Sequence, residues 1–299
     1  MIEQVLTGAV AGGTCIVFAG LGEVVAERSG VINLGTEGSM LCGALAAYAV
    51  GIETGNPWIG VLAGIVGGAA LAAVFAAMVL VRKANQIAMG LVVSFLGIGI
   101  TALFGQDYVG KGVVPLKTWN IPGLSKLPFF GPILFQHDPL TYLSFLAVPL
   151  VTWGLWRTRA GLILRAAGEG PEVLEIYGTS ATAVRWAAVL FGGAMSGIGG
   201  AQLSTASTLN WSEQMTVGRG YVAVALVIFA GWVPYKLQLG AYLFSGAIAL
   251  NLYLQAEGSD ISRYLLQSLP YVLVLFVLAL LSRRRIHGGP AALEQVFEA

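Results

Sequence analysis

Residues 22–40 place Glu23, Glu27, Arg28, Asn33 and Glu37 within fifteen positions, between two apolar runs. A charged side chain at mid-bilayer costs about 2.5–3.5 kcal/mol on insertion scales, so such groups face protein or water. Gly30, Gly35 and Gly38 permit a broken helix whose free backbone groups can meet a polar solute. The other reading is a hairpin outside the bilayer, with Glu23, Glu27 and Arg28 solvated. A second polar set, Gln202, Ser204, Thr205, Asn210, Trp211, Glu213 and Arg219, stands in the second half of the chain. An aromatic beside amides and hydroxyls suits a planar, hydrogen-bonding ligand; Trp211 equally suits an interfacial anchor at a helix end. Asn33, Glu37, Ser39, Gln202 and Asn210 are the expected contacts for a solute. A third set is a charged interruption at 157–178: Arg157, Arg159 and Arg165, then Glu169, Glu172 and Glu175. One charged helix between apolar spans is a surface for a soluble protein.

Other chemistries are excluded on the residues. Residues 105–112 nearly match a phosphate-binding GxxxxGK[ST] loop, but Gly112 stands where the Mg²⁺-binding hydroxyl belongs, and an apolar span rather than a strand precedes it. Cys15 and Cys42 lie in apolar segments without CxxC spacing, which argues against a disulfide or metal site. His137 and His287 are the sole histidines, and no nucleophile has a base beside it, so no catalytic residue is expected. A net charge of +1 argues against nucleic acid, and the basic tail Arg283, Arg284 and Arg285 reads as a stop at the edge of a last span. Residues 1–4 carry no basic n-region, so the first run reads as a retained span.

The elements that must hold these sets are membrane helices. The chain is 57% hydrophobic and 10% charged over 299 residues, whereas a soluble domain is about 25% charged. A spanning helix needs about 20 apolar residues. Nine candidates satisfy or approach this (8–10 in all): 4–22, 38–52, 58–81, 87–104, 139–156, 182–204, 219–232, 237–256 and 265–282. The second and seventh are short and are expected to extend into the polar segments before them as broken helices. The fold expected is therefore an all-α polytopic membrane protein. A Gly-rich span, a polar segment and a short apolar run recur at 31–38 and 208–217, the pattern of two inverted repeats. The pairs Gly8/Gly12, Gly60/Gly64/Gly68, Gly193/Gly197 and Ser196/Gly200 allow close helix approach within one bundle.

With 157–178 on the cytoplasmic side, Arg28, Arg82, Lys83, Arg157, Arg159, Arg165, Arg185, Lys236 and the three tail arginines fall inside. Lys111, Lys117, Lys126, Arg219 and Arg263 fall outside, eleven against five, the sign the positive-inside rule requires. The N-terminus is then extracytoplasmic and the C-terminus cytoplasmic. The Gly- and Pro-rich loop 105–138 lies outside, either as a cap meeting a delivery protein or as a structural lid.

Residues 22–41 resemble the N-terminal signature of bacterial ABC importer permeases of the nucleoside type, within the branched-chain amino acid and ribose permease group. Residues 165–178 look like that group's coupling segment, and 219–234 like its late span and turn. Val173 and Leu174 stand where that pattern has Ala-Ala. The resemblance covers about 5–285. It implies a single permease domain over 1–299, with a cytoplasmic coupling segment 157–180 and an extracytoplasmic loop 105–138. It implies a multi-pass protein of the bacterial inner membrane that performs no covalent chemistry. Its partners would be membrane lipid, a second homologous permease in a heterodimer, a cytoplasmic ATPase carrying the ATP and Mg, and an extracytoplasmic substrate-binding lipoprotein. Arg165, Glu169, Pro171, Glu172 and Gly178 would couple to the ATPase. Rival readings are a permease for ribose-type sugars or branched-chain amino acids, an ion-coupled secondary carrier, and a membrane enzyme acting on lipid-borne substrates.

Overall fold

The computed structural model describes residues 2–257, 265, 268–273 and 289–293. Its helices are α1 Ile2–Arg28, α2 Thr36–Thr54, α3 Pro57–Ala76, α4 Gln86–Gly105, α5 Phe130–Leu134, α6 Pro139–Arg157, α7 Arg159–Glu169, α8 Pro171–Ile176, α9 Ala181–Gln202, α10 Arg219–Phe229 and α11 Pro234–Ala256. Wider π turns continue α3 to Val81 and α9 to Ser207. Two short strands, β1 Trp119–Asn120 and β2 Gln136–His137, pair antiparallel in the loop between α4 and α6.

Polar breaks start these helices. The side chains of Asn56, Asn85, Asp138, Thr158 and Ser180 each accept a hydrogen bond from a first-turn N–H, which satisfies donors a helix cannot satisfy itself. Pro57, Pro139, Pro171 and Pro234 stand at first helical positions, where the missing N–H costs nothing.

Six helices among the described residues are long and apolar enough to cross a membrane: Ile2–Arg28, Pro57–Val81, Gln86–Tyr108, Pro139–Arg157, Ala181–Ser207 and Pro234–Ala256. The all-α membrane class stands, but six such helices are found rather than nine. Three candidates account for the difference. Helix α2 has 19 residues but is packed among α3, α4 and α9, so it carries Glu37, Thr36 and Ser39 without a fully apolar surface. Helix α10 has 11 residues, about 16 Å at 1.5 Å per residue, too short to span alone. The candidate 265–282 falls largely outside the described residues, as do Arg263 and the three tail arginines.

Helix α1 runs past its expected end at residue 22 and lies against α6, α9, α10 and α11. Glu23 and Glu27 are fully buried, which overturns the solvated-hairpin reading. One oxygen of each is engaged: Thr36 Oγ1 donates to Glu23 Oε1, and Trp232 Nε1 donates to Glu27 Oε2 at 2.6 Å, while Glu23 Oε2 and Glu27 Oε1 make no hydrogen bond.

The small-residue pairs pack within the chain. A methyl added to Gly43 would come within 2.5 Å of the Gly197 Cα, and one on Gly64 within 2.9 Å of the Gly43 carbonyl. Helices α2, α3 and α9 therefore touch backbone to backbone. The loop after α4 is ordered: Leu116 N donates to Thr205 O at 3.1 Å and Tyr142 Oη to Trp119 O at 2.8 Å.

Candidate functional site

Two interruptions of the helical bundle meet. The first, residues 29–35, is buried and held by short-range bonds. Asn33 Oδ1 accepts from Gly35 N at 2.8 Å, a turn that asparagine favours. Helix α4 clamps the same segment: Ser94 Oγ donates to Leu34 O at 2.8 Å, and Gln86 Oε1 accepts from Ile32 N at 2.9 Å. Asn33 is thus a buried turn-former.

Glu37, in the first turn of α2, crosses to the second interruption, residues 208–218. Its Oε1 accepts from Thr216 Oγ1 at 2.5 Å and from Gly218 N at 2.9 Å; its Oε2 accepts from Gly220 N at 2.7 Å. A carboxylate at a helix N-terminus satisfies orphan donors and complements the positive end of the dipole. Here the carboxylate belongs to another helix, so it clasps α2 to α10. Gly220 makes room: a Cβ there would lie 2.5 Å from the Glu37 Cα and 2.6 Å from its N.

The remaining expected solute contacts separate. Ser39 is buried, and its Oγ makes no hydrogen bond. Gln202 is buried, with Nε2 donating to Ala11 O at 3.2 Å and Asp138 Oδ2 at 3.4 Å while Oε1 makes none. Asn210 is exposed, as are Ser212, Glu213 and Gln214 beside it. The segment is also strained: Leu209, Gln214 and Val217 adopt φ of 55°, 53° and 48°, a region unfavourable to side chains other than glycine and severe for a β-branched one. Val217 nevertheless leaves its side chain 70% exposed. Trp211 is 1% exposed and lies against Gly105. It is a core residue of the α4 end, which corrects the interfacial-anchor reading.

At the opposite end of α10 lies the charged segment. Two helices, α7 and α8, occupy it, with Gly170 as the joint between them. Arg165 lies over the Trp156 ring at 4.6 Å. Glu169 ends α7, and its Oε2 accepts from Ala291 N at 3.3 Å. Pro171 starts α8, Glu172 is exposed, and Leu174 seats the helix while Val173, Ile176 and Tyr177 are 52%, 83% and 81% exposed. Gly178 has φ +75°; Gly178 N donates to Glu175 O at 3.0 Å and Thr179 N to Leu174 O at 2.9 Å. This is a left-handed helix end that glycine accepts without strain. The exposed Val173, Ile176 and Tyr177 side chains stand beside the exposed carboxylates of Glu172 and Glu175. Among the described residues, no group of three or more His, Cys, Asp or Glu side chains is placed to hold a metal ion.

A family model described as branched-chain amino acid transport system / permease component matches residues 5–281. The chain belongs to this permease family. A protein of Haloferax volcanii assigned provisionally as a glucose ABC transporter permease, TsgC13, is 43% identical to this permease over 255 residues, 84% of this chain and 78% of that one. The nucleoside ABC transporter permease NupC of Lactococcus lactis is 31% identical over 280 residues, 89% of this chain and 88% of its own. The guanosine ABC transporter permease NupQ of Bacillus subtilis is 30% identical over 278 residues, covering 88% and 87%. No solved structure matches the permease. The nucleoside-type ABC permease group that residues 22–41 resemble is thus supported along nearly the whole chain. What sequence reading missed is the partner set of Glu37, namely Thr216, Gly218 and Gly220. The one available signal was the glycine pair flanking Arg219, just where a carboxylate receives backbone N–H groups.

Proposed function

We propose that this permease moves a nucleoside inward as the membrane subunit of an ATP-driven ABC importer. The observation that carries the reading is end-to-end similarity to two nucleoside permeases at about 30% identity. In this reading ATP and Mg bind a separate cytoplasmic ATPase. It docks on α7 and α8 through Arg165, Glu169, Pro171, Glu172 and Gly178. The exposed Ile176 and Tyr177 are the apolar part of that contact. A second homologous permease pairs with this one, and a substrate-binding lipoprotein delivers the solute to the loop side. The protein sits in the bacterial inner membrane with its N-terminus outside and its C-terminus inside. In this reading α2, the irregular segment 208–218 continued by α10, and the apolar run 265–282 of the sequence bring the crossings to nine. The matched interruptions, one before α2 and one before α10, make two inverted halves. Asn33, Glu37, Ser39, Gln202 and Asn210 form or support the solute path.

Glucose is the second reading. It is favoured by the 43% identity to the Haloferax volcanii permease. Both solutes are polyhydroxylated, so exposed amide and hydroxyl groups along 207–214 serve either.

The test is ATP hydrolysis in lipid nanodiscs. This chain is assembled with the permease, ATPase and binding protein encoded beside it, and guanosine, uridine, glucose, ribose and leucine are compared. Stimulation by a nucleoside that depends on the binding protein is the expected result. Stimulation by glucose alone moves the substrate to the second reading. If no ATPase associates, the secondary-carrier reading takes over. Glu172→Lys is expected to abolish uptake with normal membrane insertion, because it reverses charge at an exposed docking position; full uptake in that variant counts against the docking site.

A further inference from the structure

Where α7 meets the end of α1, two arginines and two tryptophans interleave. Arg165 lies over Trp156 at 4.6 Å. Arg28 lies 5.2 Å from the same ring and 5.8 Å from the ring of Trp232. Arg28 Nη2 also donates to Gly231 O at 3.4 Å, and Trp232 Nε1 donates to Glu27 Oε2 at 2.6 Å. The stack therefore joins the ends of α6 and α1 to the turn between α10 and α11. Arg185 fastens the other side: Nε donates to Ser29 O at 3.0 Å and Nη2 to Ala167 O at 2.9 Å.

The turn is held by these contacts. Trp232 adopts φ +56° although it is not glycine, a conformation costing about 1–2 kcal/mol. Its ring is buried and its one polar atom is bound to Glu27, so the indole supplies what fixes the turn. From that turn α10 runs about 16 Å to the Glu37 clasp at Gly220 and the strained, exposed segment 208–218. Helix α10 therefore connects the stack at one end to the open segment at the other.

We propose that the Trp156–Arg28–Trp232 stack, with Glu27 fixing the indole, is the joint that passes motion of α7 and α8 to α10 and to residues 208–218. These are positioning residues, and the inference rests on the importer reading above. Arginine suits the role physically. Its planar cation keeps contact with an aromatic face as the ring slides, which the compact ammonium of lysine does less well. Glu27 is next to Arg28 in sequence, yet it is used to hold the tryptophan that Arg28 lies over.

The experiment measures ATP hydrolysis and solute uptake on the same proteoliposomes of the assembled transporter. Arg28→Lys keeps the charge and weakens the stack; Trp232→Phe keeps an aromatic ring but removes the donor to Glu27 together with part of the buried indole. In both, uptake is expected to fall about tenfold relative to ATP hydrolysed, the size of effect that positions along a coupling route produce. An unchanged ratio in Arg28→Lys and Trp232→Phe, or a parallel loss of both activities in them, overturns the joint and leaves the importer standing. Failure of the unaltered assembly to hydrolyse ATP overturns the importer reading, and the joint with it.

Discussion

The two interruptions of this bundle are built differently. Residues 29–35 are buried, close locally through Asn33, and are pinned to α4 by Ser94 and Gln86. Residues 208–218 are largely exposed and place three residues other than glycine at positive φ. Trp211 anchors their middle in the core and Glu37 fixes their far end, while Asn210 and residues 212–214 stay exposed. A buried break held by hydrogen bonds to neighbouring helices is a rigid joint. One that leaves amides and hydroxyls open inside a membrane protein needs water, a solute or another subunit to satisfy them. Strain that persists in such a segment is characteristic of switch regions. In the proposed importer reading, the first break is the support and the second is where cargo is met.

Five substitutions and one control sharpen or break that contrast. Glu37→Ala has the largest expected effect. It leaves the Thr216 hydroxyl and two backbone N–H groups without an acceptor, at a cost of roughly 3 kcal/mol or more. The variant should fail to accumulate as a monodisperse species in detergent, read by size-exclusion chromatography; parental accumulation would show that the clasp is dispensable. Gly220→Ala comes next. Its methyl must displace the backbone of Glu37, so a loss of about 1–3 kcal/mol is expected in thermal unfolding. Gly112→Ala, which meets nothing within 4 Å, is the neutral control.

Asn33→Ala removes one buried turn bond and should cost about 1 kcal/mol, with solute dependence unchanged. Asn210→Ala should do the reverse: normal melting, and a solute concentration for half-maximal ATPase stimulation raised about three- to tenfold. A shifted solute response in Asn33→Ala but not in Asn210→Ala would exchange the roles of the two breaks. Val217→Gly has the smallest effect. Relief of a left-handed β-branched residue, less the entropy glycine loses on folding, leaves a gain of roughly 0.5–1 kcal/mol. A lower melting temperature would mean that Val217 is held there by packing rather than by strain.

Much of this was legible before any fold was known. Composition identified a membrane protein, because a lipid-facing helix must be apolar whatever surrounds it. Polar residues with Gly and Pro marked the breaks at 29–35 and 208–218 and the charged segment at 157–178, since turn and cap chemistry acts over a few residues. The helix count was less legible. Helix α2 is sheltered by α3, α4 and α9, and a helix packed in protein need not look like one facing lipid.

What only the tertiary structure decided is which distant residues meet. Glu37 reaches partners 179 to 183 residues away, and Glu27 reaches Trp232 across 205. Nothing in the composition around either glutamate distinguishes these bonds from exposure to water. Likewise Trp211 became core and Asn210 exposed although they are adjacent, because direction into or out of a bundle is set by neighbouring helices. Local chemistry fixes where a chain bends. The packing of the whole fixes what each bend touches.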